Sequence, residues 1–286
     1  MHKLILAFIL AIISIQVFAA DYDKILTRLN EVAKRPHTAL FSLGKNDQGM
    51  DIVGVMIGDS STATIKHLVV GTHHGNERAA AEVPFLFADQ VLTNYDSSVL
   101  YYVIPVLNIT GYNANRRQET GSDNQTHDSN RDYEDACMTK QDWNLKSTHL
   151  IADFMDKEDV VSAVSVHGYV GSFTFPFGMY ADNFKTLDNA LLVDWAKKAA
   201  KINGYTTGTH GDIVYPAEGS FEDYAYFKHG IWSFLMEIRS TTTDLKKDAL
   251  SLVEFFKNSP RERSKHVGQK VDCVSRILSY KGISRP

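Results

Sequence analysis

The chain has 286 residues, of which 44% are hydrophobic and 22% charged, an ordinary globular balance. That length holds one α/β domain with a sizeable core, and a formal net charge of −4 argues against a nucleic-acid-binding surface. Met1-His-Lys3 is a short basic start, Leu4 to Phe18 is almost wholly apolar, and Val17-Phe-Ala19 or Phe18-Ala-Ala20 carries the small residues of a cleavage site. The apolar run is shorter than the roughly 20 residues of a membrane span. Residues 1–20 therefore read as a secretory signal peptide, with an uncleaved anchor as the alternative, and residues 21–286 as a single exported domain. Secretion or a periplasmic location is expected. Cys137 and Cys273 are the two cysteines. In an oxidising compartment they either close one long loop or stay free, and the sequence leaves both open.

Taken in order, Ile25, Leu26, Leu29 and Val32 stand at helical spacing until Pro36 ends the pattern. Met50–Ile57 and Ile65–Val70 read as strands, Ala79–Leu92 as a helix and Val99–Leu107 as a buried strand. Asn108–Asn144 is a long polar stretch, and a loop of that length in a compact domain is functional or disordered. Lys146–Lys157 is predicted helical, Val160–Val166 a strand ending at His167, and Leu187–Ile202 a helix. Ile231–Ile238 reads as a strand and Leu245–Phe256 as a closing helix. The basic tail from Ser259 reads as solvated surface. Alternating strands and helices predict one α/β domain: a mixed, largely parallel twisted sheet flanked by helices on both faces.

The chemistry starts at Gly71-Thr-His-His-Gly-Asn-Glu-Arg78, where a strand delivers His74 and Glu77 to a turn. An imidazole and a carboxylate three residues later suit one divalent metal, Zn²⁺ above others. Alone the pattern is weak, because Glu is common in the first turn of a helix. His167 stands at the C-terminal end of a buried strand, where open α/β sheets present ligands. With it the set becomes two imidazoles and a carboxylate, which leaves a fourth position open, as in catalytic zinc sites.

With these residues in place, the chain resembles the M14-family zinc carboxypeptidases over roughly Met50 to Ile238. Four blocks in order carry the resemblance: His74-Gly-Asn-Glu77, Asp128-Ser-Asn-Arg131, His167-Gly-Tyr169 through Gly178, and Tyr215 through Tyr226 followed by Phe234-Leu-Met-Glu237. The resemblance implies one zinc per chain on His74, Glu77 and His167, with His73 outside the ligand register and Asp128 holding a ligand imidazole. It implies that Asn130, Arg131 and Tyr215 grip a terminal carboxylate, which a planar guanidinium suits. It places Tyr169 at a substrate subsite and Glu237 as the catalytic base. The oxyanion-stabilising arginine is Arg116 or Arg117, with Arg117 favoured, and the family's Asn-Pro-x-Gly stands here as Asn108-Ile-Thr-Gly111.

The expected activity is hydrolysis of the last peptide bond of peptides or proteins. Glu222 aligns with the floor of the side-chain pocket, where a carboxylate favours a basic residue or the amine of diaminopimelate; an exposed Glu on a helix is the alternative. Two other functions stay open: a murein peptide amidase acting on muropeptides at the D-Glu–diaminopimelate bond, and a non-catalytic peptide-binding relative. A monomer is favoured. Little room is left for an inhibitory propeptide, and too little follows Glu237 for a further β-sandwich domain.

Overall fold

Runs of β-branched and aromatic residues with both faces buried build the centre of the sheet. The computed structural model describes residues 21–136, 143–179, 185–241 and 244–268. The expected signal segment, Cys137 and Cys273 lie outside the described residues. Helix α1 covers residues 21–32 and buries Tyr22, Ile25 and Leu29. The main sheet contains β1 (Thr38–Lys45), β2 (Asp51–Ile57), β3 (Ile65–Gly71), β4 (Val99–Ile104), β7 (Ser162–Gly168), β8 (Ser172–Phe175), β9 (Thr206–Thr209) and β10 (Trp232–Ile238). Their order is β1-β2-β4-β3-β7-β10-β8-β9. The central four, β4, β3, β7 and β10, run parallel. β2 and β1 extend one edge in antiparallel fashion, while β8 runs antiparallel to β10 with β9 parallel beyond it. The expected mixed, largely parallel α/β sheet is the one observed.

Helices α2 (Glu82–Thr93), α5 (Asn189–Ala200) and α8 (Leu245–Lys257) pack side by side, and α4 (Lys146–Lys157) meets α7 (Phe221–His229) elsewhere on the sheet. Trp195 of α5 stacks on Phe255 of α8 at 4.2 Å and both rings meet Phe234 of β10. That aromatic cluster fixes the position of β10 and so of the residues at its end.

Several local expectations change. The helix expected from Ala79 begins as a 3-10 turn, Arg78–Ala81, and becomes α-helical at Glu82. Pro84 then falls in the first α-turn, where its missing N–H costs nothing. The strand from Val99 ends at Ile104, before Pro105. The long polar stretch is not structureless. It contains α3 (Ile109–Ala114) and a small hairpin of β5 (Glu119–Thr120) and β6 (Thr126–His127). β1 escapes the hydrophobic pattern because it is a half-exposed edge strand, and α7 because it buries charged residues and carries no apolar stripe.

Candidate metal centre and substrate pocket

The carboxyl ends of β3, β7 and β10 lie side by side, and each delivers part of the site. Beyond β3 the chain turns against α3 so closely that a Cβ on Gly75 would lie 2.0 Å from the Gly111 carbonyl carbon. Only glycine fits between His74 and Glu77 there. Asn108 locks this turn: its Nδ2 donates to the carbonyls of His73 and Arg117, both at 2.9 Å, and its Oδ1 accepts from Gly111 N–H at 2.7 Å. The Asn of the altered Asn108-Ile-Thr-Gly111 block therefore fastens two arms of the site together.

His74, Glu77 and His167 are buried and converge, with one candidate ligand atom from each within 4.8 Å of the others. His74 Nδ1 lies 2.7 Å from Glu77 Oε1 and 3.0 Å from His167 Nδ1, and His167 Nδ1 lies 3.0 Å from Glu77 Oε2. Both imidazoles thus turn Nδ1 inward. Their outer nitrogens are fastened: His74 Nε2 lies 3.1 Å from Asp128 Oδ1, and His167 Nε2 lies 3.0 Å from Ser165 Oγ. A ring whose Nε2 donates a proton outward presents a lone pair at Nδ1, as a metal ligand requires. Gly168 N–H donates to Glu77 Oε2 at 3.2 Å. The donor set and its tautomers fit zinc.

Asp128 also accepts from Arg117 Nε at 2.9 Å, and Arg117 Nη1 lies 3.1 Å from His74 Nδ1. Burial alone would raise the Asp128 carboxyl, but His74, Arg131 and Arg117 hold it far below the carboxylate range. The neighbouring Arg116 turns away, donating to the Gln118 carbonyl and to Thr120 Oγ1 within its own loop. The structure therefore brings Arg117 to the cluster and leaves Arg116 outside it.

On the far side, Asn130 Oδ1 accepts from Phe221 N–H at 2.8 Å, at the start of α7. This orients the amide so that Nδ2 is its remaining donor. Arg131 Nη2 donates to Tyr215 Oη at 3.0 Å, while Nη1 donates to the Asn130 carbonyl. Tyr215 is 47% exposed and Tyr169 39% exposed, placing both at the rim. Burial raises the Tyr169 phenol, with Glu77 and Glu237 contributing.

Glu237 pairs with His167 in the parallel register of β10 and β7, so the two side chains leave the same face about 4.8 Å apart. Its Oε2 is buried without a hydrogen-bond partner among the described residues. Burial pushes the carboxyl up to about 8, Glu77 adds to the rise, and the His74 and Arg117 charges oppose it. Glu222 is fully buried, which removes the exposed-helix alternative, and among the described residues neither of its oxygens makes a geometric hydrogen bond. Burial raises its carboxyl, against the nearby Arg131 charge. Its neighbour Asp223 differs sharply, accepting from Gly178 N–H at 2.8 Å and Met179 N–H at 3.1 Å.

Sequence reading missed Ser165 and His210. His73, set aside as a ligand, stacks on His167 and shares Ser165 with it: His73 Nδ1 lies 2.8 Å from Ser165 Oγ and His73 Nε2 2.9 Å from Tyr133 Oη. The signal for Ser165 was available, since residues two apart on a strand share a face with His167. His210 is buried beside Glu222, and no local pattern marks it, because it arrives from α6 (His210–Ile213) far along the chain.

Two imidazoles and a carboxylate at the ends of parallel strands define an open, single-metal centre of the zinc kind. The family model for zinc carboxypeptidases (Peptidase_M14) matches residues 25–256. Carboxypeptidase B of Homo sapiens is 30% identical over 173 residues, an alignment covering 49% of this chain and 41% of the relative. The chain thus spans less than half the length of that relative. Bovine thrombin-activatable fibrinolysis inhibitor, solved in complex with tick carboxypeptidase inhibitor, shares the fold with a TM-score of 0.71 at 16% identity, covering 82% of this chain and 94% of that one. The murein-tripeptide amidase of Escherichia coli O157 shares it with a TM-score of 0.54 at 14% identity, covering 81% and 94%. The chain belongs to the zinc carboxypeptidase family.

Proposed function

We propose that the protein is an exported metallocarboxypeptidase that removes a basic residue from the C-terminus of peptides. The observation that carries this reading is the Glu237–His167 register, which sets a carboxyl group, its Oε2 without a partner among the described residues, beside a three-residue metal cluster. Export rests on the sequence of residues 1–20; among the described residues no helix is long and apolar enough to cross a membrane.

Zinc, when bound by His74, Glu77 and His167, supplies Lewis acidity to the scissile carbonyl and to a water. Glu237, kept ionised because the charge of a bound cation opposes the burial that raises it, takes that water's proton and returns it to the leaving amine. Arg117, held by Asp128, faces the cluster and stabilises negative charge developing on the carbonyl oxygen. Arg131 with Tyr215, and Asn130 through Nδ2, bind the terminal carboxylate, so the chain end is placed and internal bonds are not. Glu222 lies beyond them as a buried counter-charge for a cationic side chain.

The test uses the full chain, stripped of metal by a chelator and reloaded with zinc. Peptides ending in Arg should be hydrolysed only after reloading, and faster than matched peptides ending in Phe. Equal rates for Arg and Phe would remove Glu222 from the account. Absence of any exopeptidase activity in the stoichiometric zinc form would remove the function.

A further inference from the structure

Two buried groups beside the residues proposed to bind substrate have no hydrogen-bond partner among the described residues: both oxygens of Glu222 and Nε2 of His210. His210 is 3% exposed, with its ring edge-on to Tyr215 at 5.6 Å and its Nδ1 4.0 Å from Glu222 Oε1. Tyr215 in turn holds Arg131. The imidazole therefore sits between the residues proposed to bind the terminal carboxylate and the acid at the floor.

Its tautomer is assigned from its neighbours. Thr174 Oγ1 lies 3.4 Å from the Leu235 carbonyl and 3.5 Å from His210 Nδ1, a placement that suits a hydroxyl donating to the carbonyl and an imidazole carrying its proton at Nδ1. The carboxylate on the same side also favours the proton at Nδ1. Nε2 is left as a lone pair. Burial, together with the Arg131 charge, drives the imidazole down to about 3, so it stays neutral.

The floor then offers three acceptor atoms without a geometric hydrogen bond among the described residues: Glu222 Oε1, Glu222 Oε2 and His210 Nε2. We infer that His210 acts with Glu222 as a specificity-determining residue, and that the two together select a C-terminal arginine over lysine. This rests on the carboxypeptidase reading above. A guanidinium is donor-only, planar and forked; it spans a carboxylate with two N–H groups and keeps others for a third acceptor. An ammonium meets the same floor as a point charge and gains less from a fixed third acceptor. A side chain carrying its own carboxylate, as diaminopimelate does, would set acceptor against acceptor.

The experiment compares kcat and KM of the zinc-loaded full chain on matched peptides ending in Arg, Lys and Phe, and on a muropeptide ending in diaminopimelate. Wild type should favour Arg over Lys. His210→Phe keeps a flat ring but no acceptor, and should lower kcat/KM for Arg about tenfold, chiefly through KM, bringing the Arg-to-Lys ratio close to one. His210→Gln, whose amide oxygen reaches the Nε2 position, should restore part of the ratio. If the Phe variant does not fold, His210→Asn is read in its place, because its shorter amide reaches only the Nδ1 position. An unchanged Arg-to-Lys ratio in a folded loss variant overturns the inference, as does cleavage of the muropeptide in preference to the Arg peptide. A separate variant, Glu222→Gln, tests the underlying reading: it should lose the preference for Arg over Phe, and if it keeps that preference Glu222 is not the counter-charge and the role given to this floor fails, whatever His210 does.

Discussion

The metal centre and the pocket floor are both buried and both charged, but they are finished to different degrees. At the centre every outer group is tied down: His74 by Asp128, His167 by Ser165, Glu77 by Gly168. At the floor, Glu222 and His210 have acceptor atoms that meet no donor among the described residues by hydrogen-bond geometry. Glu222 and Asp223 show the same contrast within one helical turn. Asp223 accepts from two backbone N–H groups and serves the fold; the Glu222 oxygens make no geometric hydrogen bond among the described residues. A buried polar group left unpaired costs about 1–3 kcal/mol, and at this floor the donors of the proposed ligand would relieve that cost.

That contrast can be broken from the finished side first. Arg117→Ala should lower kcat about 10²-fold with little change in zinc content, because it removes charge stabilisation from the reacting oxygen. Arg116→Ala should stay close to wild type in steady-state assays, since its guanidinium is spent on Gln118 and Thr120. The reverse ranking would mean the loop rearranges on binding substrate. A smaller effect is expected from Ser165→Ala, which leaves all three ligands but frees the outer nitrogen of His167. Zinc affinity, measured by competition with a chromophoric chelator, should weaken about 10- to 100-fold. Unchanged affinity would show that His73 and Ser165 only fill space.

Much of the centre was legible in the sequence because its parts are local. His74 and Glu77 share one turn, His167 ends a strand with an unbroken apolar run, and Glu237 sits in another such run. The choice between Arg116 and Arg117 was not legible, since adjacent residues point apart only once α3 and the β5–β6 hairpin are folded. Nor was His210, whose place beside Glu222 depends on β8 and β9 being joined to the sheet edge. The fold class followed from strand–helix alternation, while β1 and α7 were hidden: one is half-exposed, and the other buries acids that a periodicity argument assigns to solvent.

Away from the site, Glu119 offers the mildest test of the same principle. It is buried, accepts from Ser147 Oγ at 2.6 Å, and burial pushes its carboxyl up to about 8 from an ordinary 4.5. The folded protein therefore keeps this proton over a range where the unfolded chain has released it. Its contribution is fully present below about pH 4.5 and is lost as pH rises through 8. Glu119→Gln should flatten that part of the stability–pH curve in urea unfolding. An identical slope in both proteins would show that Glu119 is ionised in the fold.

The central claim is that Glu237 is the base beside a zinc held by other residues. Its most direct test measures zinc content and peptide hydrolysis together in Glu237→Gln. The account predicts stoichiometric zinc, an unchanged fold and a turnover lowered about 10³-fold. Near-normal turnover in the zinc-loaded variant would contradict it.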